Sequence, residues 1–241
     1  MTKLPQFKHK YYLIPLPFLN YVHREGLYKE FKMYMYLKAI SNGHLSKIDK
    51  SELAKVLKFS RGATYTTLKS LIQRNWVGYN SKRKLYHIRS LKSMNTICGV
   101  QGRTGIWLDM DDFDKIDEFI DSSVVSEIVR RKKVEHWRAQ QKGSAVQLQL
   151  FFEISVRYFA NYTGQSDMTA QRRLKRARQS KFLLFEKGKN VNLGKHGAAF
   201  KKGYPELSDA VFYRNGEYYL RQGNKFQTCL LFKRRRKPCT F

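Results

Sequence analysis

One stretch of this chain occurs twice, and that repeat limits the possible folds more than any other feature. Residues 52–77, ELAKVLKFSRGATYTTLKSLIQRNWV, lie on residues 158–183, YFANYTGQSDMTAQRRLKRARQSKFL, at a constant offset of 106 and without a gap. Ala54 falls on Ala160, Ser60 on Ser166, Leu68 on Leu174 and Lys69 on Lys175. The pair Trp76–Val77 falls on Phe182–Leu183. Both copies therefore read Ala-x5-Ser-x7-Leu-Lys-x6-aromatic-aliphatic. A length of 241 residues suits one large domain or two ordinary ones, and self-similarity of this kind implies a duplicated unit.

Each copy reads as two helices and a turn. In the first, Asp49 and Glu52 form a capping box ahead of Leu53, Val56 and Leu57 at helical spacing. Phe59 interrupts the run and Ser60 is a natural N-cap for a second helix. Its inner face is expected to be Thr64, Leu68, Leu71 and Ile72. In the second copy Phe159 and Ala160 belong to the first helix, and Thr163–Gly164 makes the turn. Ser166 or Asp167 caps a helix lined by Ala170, Leu174 and Ala177. A preceding helix is expected over Leu27–Ile40, with Leu27, Phe31, Tyr34, Met35 and Leu37 broadly on one face and a stop at Asn42–Gly43. After each second helix comes strand, tip and strand: WVGYNSKRKLYHI with a tip at Asn80–Lys84, and FLLFEKGKNVNLG with a tip near Lys187–Asn190.

The small Ala, the turn, the Ser-capped second helix and the trailing hairpin resemble winged helix-turn-helix DNA-binding domains, over roughly residues 27–90 and 125–195. The two-domain layout is similar to that of replication initiators of plasmids and phages. The resemblance implies a fold that is mainly α with small β wings, two such domains being joined by a helix and followed by a C-terminal β-rich extension. It further implies sequence-specific binding of double-stranded DNA, to initiate replication or regulate transcription of a mobile element. The first recognition helix would offer Arg61, Tyr65, Thr66, Lys69 and Ser70, and the second Arg172, Arg173, Lys175, Arg176 and Gln179. The first wing adds Lys82, Arg83 and Lys84, and the second Lys187 and Lys189. Expected boundaries are an N-terminal arm (1–26), a first domain (27–92), an acidic linker (93–124), a second domain (125–195) and a hairpin extension with a basic tail (196–241).

Charge supports a polyanionic partner independently. The chain carries 47 Lys+Arg against 19 Asp+Glu, a net charge of +28, and self-repulsion of that size is most easily tolerated when a partner neutralises it. From Arg131 onward there are 25 Lys+Arg against seven Asp+Glu. The tail KRRRK, with Lys233, Arg234, Arg235 and Arg236, reads as a flexible phosphate-contacting segment. DNA is preferred to a membrane, because no basic segment has a broad Leu/Trp face and no apolar run is long enough to span a bilayer. A second copy of the chain, as a homodimer, and the replication or transcription machinery are the further partners expected.

Seven acids fall within Asp109–Asp121, at the start of a helix expected over Asp112–Gln141, with acidic and basic ends that suit the helix dipole. Asn215–Gly216 between AVFYR and EYYLR is strong hairpin chemistry, and Cys229–Phe232 could add a third strand. The six histidines lack metal-ligand spacing, the three cysteines lack C-x-x-C, and no phosphate-binding loop G-x-x-x-x-G-K-[ST] is present. Neither cofactor, metal nor enzymatic activity is therefore expected. Scattered cysteines and a proline-interrupted N-terminus point to the reducing cytoplasm, in association with the nucleoid. Two other readings stay open. One is a Mg²⁺-dependent DNA-processing enzyme using the Asp109–Asp121 acids; the other is a protein that packages DNA by charge alone.

Overall fold

The computed structural model describes residues 7–41, 43–141, 150–203 and 210–234. The chain is mixed α/β, with helices and small antiparallel three-stranded sheets. Strand is thus a larger part of it than a mainly α reading allows. It divides into two compact units, 1–124 with 230–241 and 125–229.

In the first unit β1 (Tyr11–Pro15) runs into α1 (Leu16–Glu25) and α2 (Tyr28–Ile40). Then come β2 (His44–Leu45), α3 (Lys50–Leu57), α4 (Arg61–Gln73), β3 (Val77–Asn80) and β4 (Leu85–Ile88). Strands β2, β4 and β3 form a sheet in that order. Helix α5 (Met94–Ile97) and β5 (Thr104–Asp109) follow. Helix α2 is buried on nearly every side: Met33, Tyr36 and Ala39 are inside along with Phe31, Tyr34, Met35 and Leu37. The additional cover comes from segments expected to be an arm and a linker. Phe18 of α1 packs edge-on to Trp76 at 4.9 Å and to Tyr34 at 6.1 Å. Phe7 and Phe113 flank Tyr36 on the other side. Residues 11–25 and 104–124 thus belong to the core, because their apolar side chains are what close it over α2.

A 3-10 turn (Met110–Lys115) leads into α6 (Ile116–Gln141), so the helix begins four residues later than the acidic run suggested. In the second unit come β6 (Phe152–Glu153), α7 (Val156–Thr163), α8 (Asp167–Arg178) and β7 (Leu183–Glu186). They are followed by β8 (Asn190–Gly194), α9 (Gly197–Gly203), β9 (Val211–Arg214), β10 (Glu217–Arg221) and β11 (Lys225–Thr228). The final strand, β12 (Phe232–Arg234), belongs to the first unit, where it pairs with β5.

The offset of 106 holds residue by residue. Helix α3 maps onto α7, β3 onto β7, and N-caps Asp49 and Ser60 onto Ser155 and Ser166. Lys58 and Gly164, at the paired turns, are both left-handed, with φ of 58° and 66°. The turns close alike, Phe59 N–H donating to Ala54 O and Gln165 N–H to Ala160 O, each at 3.0 Å.

The second hairpin breaks the parallel. β7 does not pair with β8 as the sequence suggested; it pairs with β11, and the sheet runs β6-β11-β7. β11 stands where β4 stands in the first unit: Arg89 N–H donates to Trp76 O at 3.1 Å, and Cys229 N–H donates to Phe182 O at 3.0 Å. The Tyr79–Tyr86 ring pair likewise has its counterpart in Phe185–Phe226. The residues between, with β8, β10 and β9 in a sheet of their own, are an insertion. The C-terminal region is accordingly not a separate extension. Its Asn215–Gly216 hairpin forms, with both residues at positive φ. The third strand of its sheet is β8 at 190–194 rather than 229–232, and residues 225–228 form β11 of the other sheet, where Phe226 reaches the core.

Candidate nucleic-acid interface

The two second helices, α4 and α8, turn matched faces inward. Thr64, Leu68 and Leu71 are buried in the first, and Ala170, Leu174 and Ala177 in the second. Thr67 is also buried whereas Ile72 is 38% exposed, so the inner face of α4 is rotated slightly from the expected one. Arg61, Tyr65, Thr66 and Lys69 of α4 are all exposed, Arg61 as the first residue of the helix, with Ser70 half-buried. Ser60 Oγ accepts from Ala63 N–H, which fixes the start of the helix. Thr66 Oγ1 donates back to Gly62 O at 3.0 Å and Ala63 O at 3.1 Å, so its hydroxyl proton is engaged within the helix. What it offers outward is its methyl group and oxygen lone pairs. Arg74 Nε donates to Ser70 Oγ at 3.4 Å, and Arg74 Nη1 donates to Tyr21 Oη at 3.0 Å.

Sequence reasoning missed Lys50, whose ammonium sits 4.5 Å from the centre of the Tyr65 ring. Its position in the first turn of α3 was readable, but its proximity to α4 depends on the angle between the helices. Beyond β3 the turn residues Lys82, Arg83 and Lys84 are all exposed, with Arg83 N–H donating to Asn80 Oδ1. The structure thus places five exposed cations of the first unit on α4 and on the turn after β3: Arg61, Lys69, Lys82, Arg83 and Lys84.

On α8, Arg172 and Lys175 are exposed, Arg173 and Arg176 are half-buried, and Gln179 is the exposed C-cap residue. Arg178 lies 5.0 Å over the Phe185 ring, a packing role that the sequence did not reveal. Lys187 and Lys189 are exposed but do not sit on a hairpin tip. They lie where the chain leaves β7 for the insertion, and Lys189 O accepts from Gln222 N–H at 3.0 Å. Lys233 and Arg234 are likewise not part of a free tail. They pair with Gly105 and Thr104 in β12, and the Lys233 ammonium stands 5.4 Å from the Trp107 ring centre. Arg235 and Arg236 lie outside the described residues.

The Asp109–Asp121 acids are mostly occupied as structural groups. Asp109 caps the 3-10 turn through Asp111 N–H, and Asp111 pairs with Lys10 at 3.0 Å, which raises the ammonium's pKa. Asp114 lies 4.0 Å from Lys58. Asp121 is fully buried, accepts from Tyr28 Oη and faces His23 Nε2 at 3.6 Å. Among the described residues no three His, Cys, Asp or Glu side chains are grouped so as to hold a metal ion, and no helix is long and apolar enough to cross a membrane. Cys98 is half-buried, and burial pushes its thiol up to about 11, away from nucleophilic chemistry at neutral pH. No family model, curated protein or solved structure matches the chain.

Proposed function

We propose that this protein binds double-stranded DNA at a specific sequence through two winged-helix units, as a replication initiator or transcription regulator of a plasmid or phage. One observation carries the reading. The helix, left-handed turn and Ser-capped helix recur at a constant offset, and in both copies the outward face of the second helix is free of carboxylates apart from Asp167 in the first turn of α8. An α-helix fits the major groove of B-DNA, where side chains reach base edges. α8, with its arginines and lysine, suits phosphate and guanine. α4 mixes Arg61 with Thr66 and Tyr65, and the Thr66 methyl suits the methyl group of thymine. The net charge of +28 supports a phosphate-rich partner.

Selecting bound sequences from a random duplex library tests this. Two half-motifs at fixed spacing are expected; a palindrome would mean that a homodimer reads the site, and two unlike halves that one chain does. Arg61→Ala and Thr66→Ala should relax base preference more than they lower affinity for scrambled duplex. Binding that ignores sequence at physiological salt would replace this reading with packaging. Cleavage of plasmid DNA in Mg²⁺ would replace it with DNA processing.

A further inference from the structure

The insertion between β7 and β11 is built as a module on a closed neck. Where the first unit joins β3 to β4 through residues 81–84, the second has residues 187–224. Gly188 N–H donates to Asn224 Oδ1 at 3.2 Å, so the outgoing and returning chains are tied together. A Cβ at Gly188 would fall 2.1 Å from Gln222 O, so no other residue fits this neck without moving the backbone.

The sheet β8-β10-β9 has two different faces. Helix α9 packs against one at Tyr218: a Cβ on Gly197 would fall 2.0 Å from the Tyr218 Cβ, and Tyr218 packs edge-on to Tyr213, itself 62% exposed, at 4.9 Å. The other carries Phe212, Arg214, Glu217, Tyr219 and Arg221, with Asn192 beside them. Phe212 and Tyr219 are cross-strand partners whose rings stack at 5.6 Å and 21°. The Arg221 guanidinium lies 5.3 Å from the Phe212 ring centre and so continues the row. Glu217 Oε2 accepts from Asn192 Nδ2 at 2.6 Å and from Tyr219 Oη at 3.1 Å. Among the described residues, α9 is the only element outside this sheet that packs extensively against it. Residues 187–224 hold seven Lys+Arg against three Asp+Glu.

We propose that this second face binds single-stranded DNA, its bases stacking against the Phe212–Tyr219–Arg221 row and its phosphates meeting Arg214 and Arg221. Duplex DNA keeps its base faces inside the helix stack, so a row of half-buried rings beside exposed Arg214 and Arg221 has nothing to grip there. Unpaired bases offer those faces, and aromatic groups beside cations bind them with little regard to sequence. The Glu217 carboxylate, held by two donors, can accept from the exocyclic amino group of an unpaired base. This goes beyond the duplex reading and uses none of its residues.

The test is fluorescence anisotropy of the full chain with labelled oligo-dT of about 12 nucleotides, the same-length oligo-U, and a duplex. Replacing both rings, F212L/Y219L, keeps apolar cross-strand contact while removing stacking. It should weaken oligo-dT binding about 5- to 150-fold for each base that loses its platform and leave duplex binding unchanged. R214Q/R221Q should flatten the oligo-dT salt slope by about 1.4, at roughly 0.7 per phosphate. Thermal melting verifies that each variant is folded. A folded F212L/Y219L with parental oligo-dT affinity overturns the proposal, as does an equal loss on duplex or a preference for oligo-U. Should F212L/Y219L fail to fold, an unchanged slope in R214Q/R221Q overturns it. Loss of oligo-dT binding by the parent chain with duplex binding intact would strike only this proposal, and the converse result only the duplex reading.

Discussion

The turn after β3 offers the cleanest test of the proposal that the first unit binds DNA. Lys82, Arg83 and Lys84 are exposed, and none makes an ion pair among those described. Each phosphate neutralised contributes about 0.9 to the slope of log affinity against log salt. Three contacts thus contribute about 2.7, within a whole-chain slope expected at roughly −6 to −10. Substitution must respect the backbone, since Lys84 has φ of 49°. Asn tolerates that region better than most side chains, so K82Q/R83Q/K84N is the appropriate variant. Between about 50 and 200 mM salt, a slope shallower by 2.7 means losing about 1.6 fewer decades of affinity than the parent. Titrations at four salt concentrations, on selected and scrambled duplex, would resolve this. Base preference should not change, because phosphate contacts carry no sequence information. An unchanged slope would mean that this turn does not touch DNA; an altered preference would mean that it reads bases.

Other expectations follow from the paired architecture. Leu68→Ala and Leu174→Ala, both at buried positions, should each cost about 2–5 kcal/mol, seen as a lowered thermal midpoint; poor binding with parental melting would refute their inward placement. Lys58→Gly should stabilise by about 0.5–1 kcal/mol, since a left-handed lysine is replaced by the residue type that its counterpart Gly164 supplies, and Gly164→Ala should destabilise. His87 has its pKa depressed below the ordinary 6.5, first by burial and then by His44, Arg89 and Lys38. The unfolded chain therefore takes up the proton more readily, and stability should fall as pH drops through and below 6.5; His87→Gln should reduce that fall in denaturant titrations across pH 7 to 5.

The repeat made one half of each unit legible because its signals are local. An N-cap serine, a left-handed turn and apolar residues three and four apart are all decided within a few residues of chain. Those signals located α3, α4, α7 and α8 and the inward Leu68 and Leu174. Strand partners are decided at a distance, and there the reading failed. Residues 182–194 have an acceptable hairpin pattern, yet β7 takes β11 as partner across the whole insertion. Phe226 explains the choice: it is buried at 2% exposure and packs against the Phe185 ring at 5.5 Å, whereas Val191 in β8 is 38% exposed. Apolar burial decides strand pairing, and no turn residue in the sequence records which of two later strands will supply it.

The same distinction explains what was legible at the interface. With Leu68 inward the helical period turns Thr66 and Lys69 of α4 outward, and both are exposed, whereas Arg61, two turns before Leu68, is exposed as the first residue of the helix. What the period cannot convey is the company each side chain keeps. A helical projection sets Arg178 on the side of the buried Leu174, four residues before it, but does not show that it is spent on the Phe185 ring. Lys233 looks like tail but is fixed by its backbone pairing with Gly105 and held over Trp107. A cation committed to an aromatic face can still meet phosphate, though only where that face points. The cations that count toward a salt slope are therefore fewer than the +28 net charge suggests. The contribution of Lys233, unlike that of Lys82–Lys84, should depend on the integrity of the β1-β5-β12 sheet.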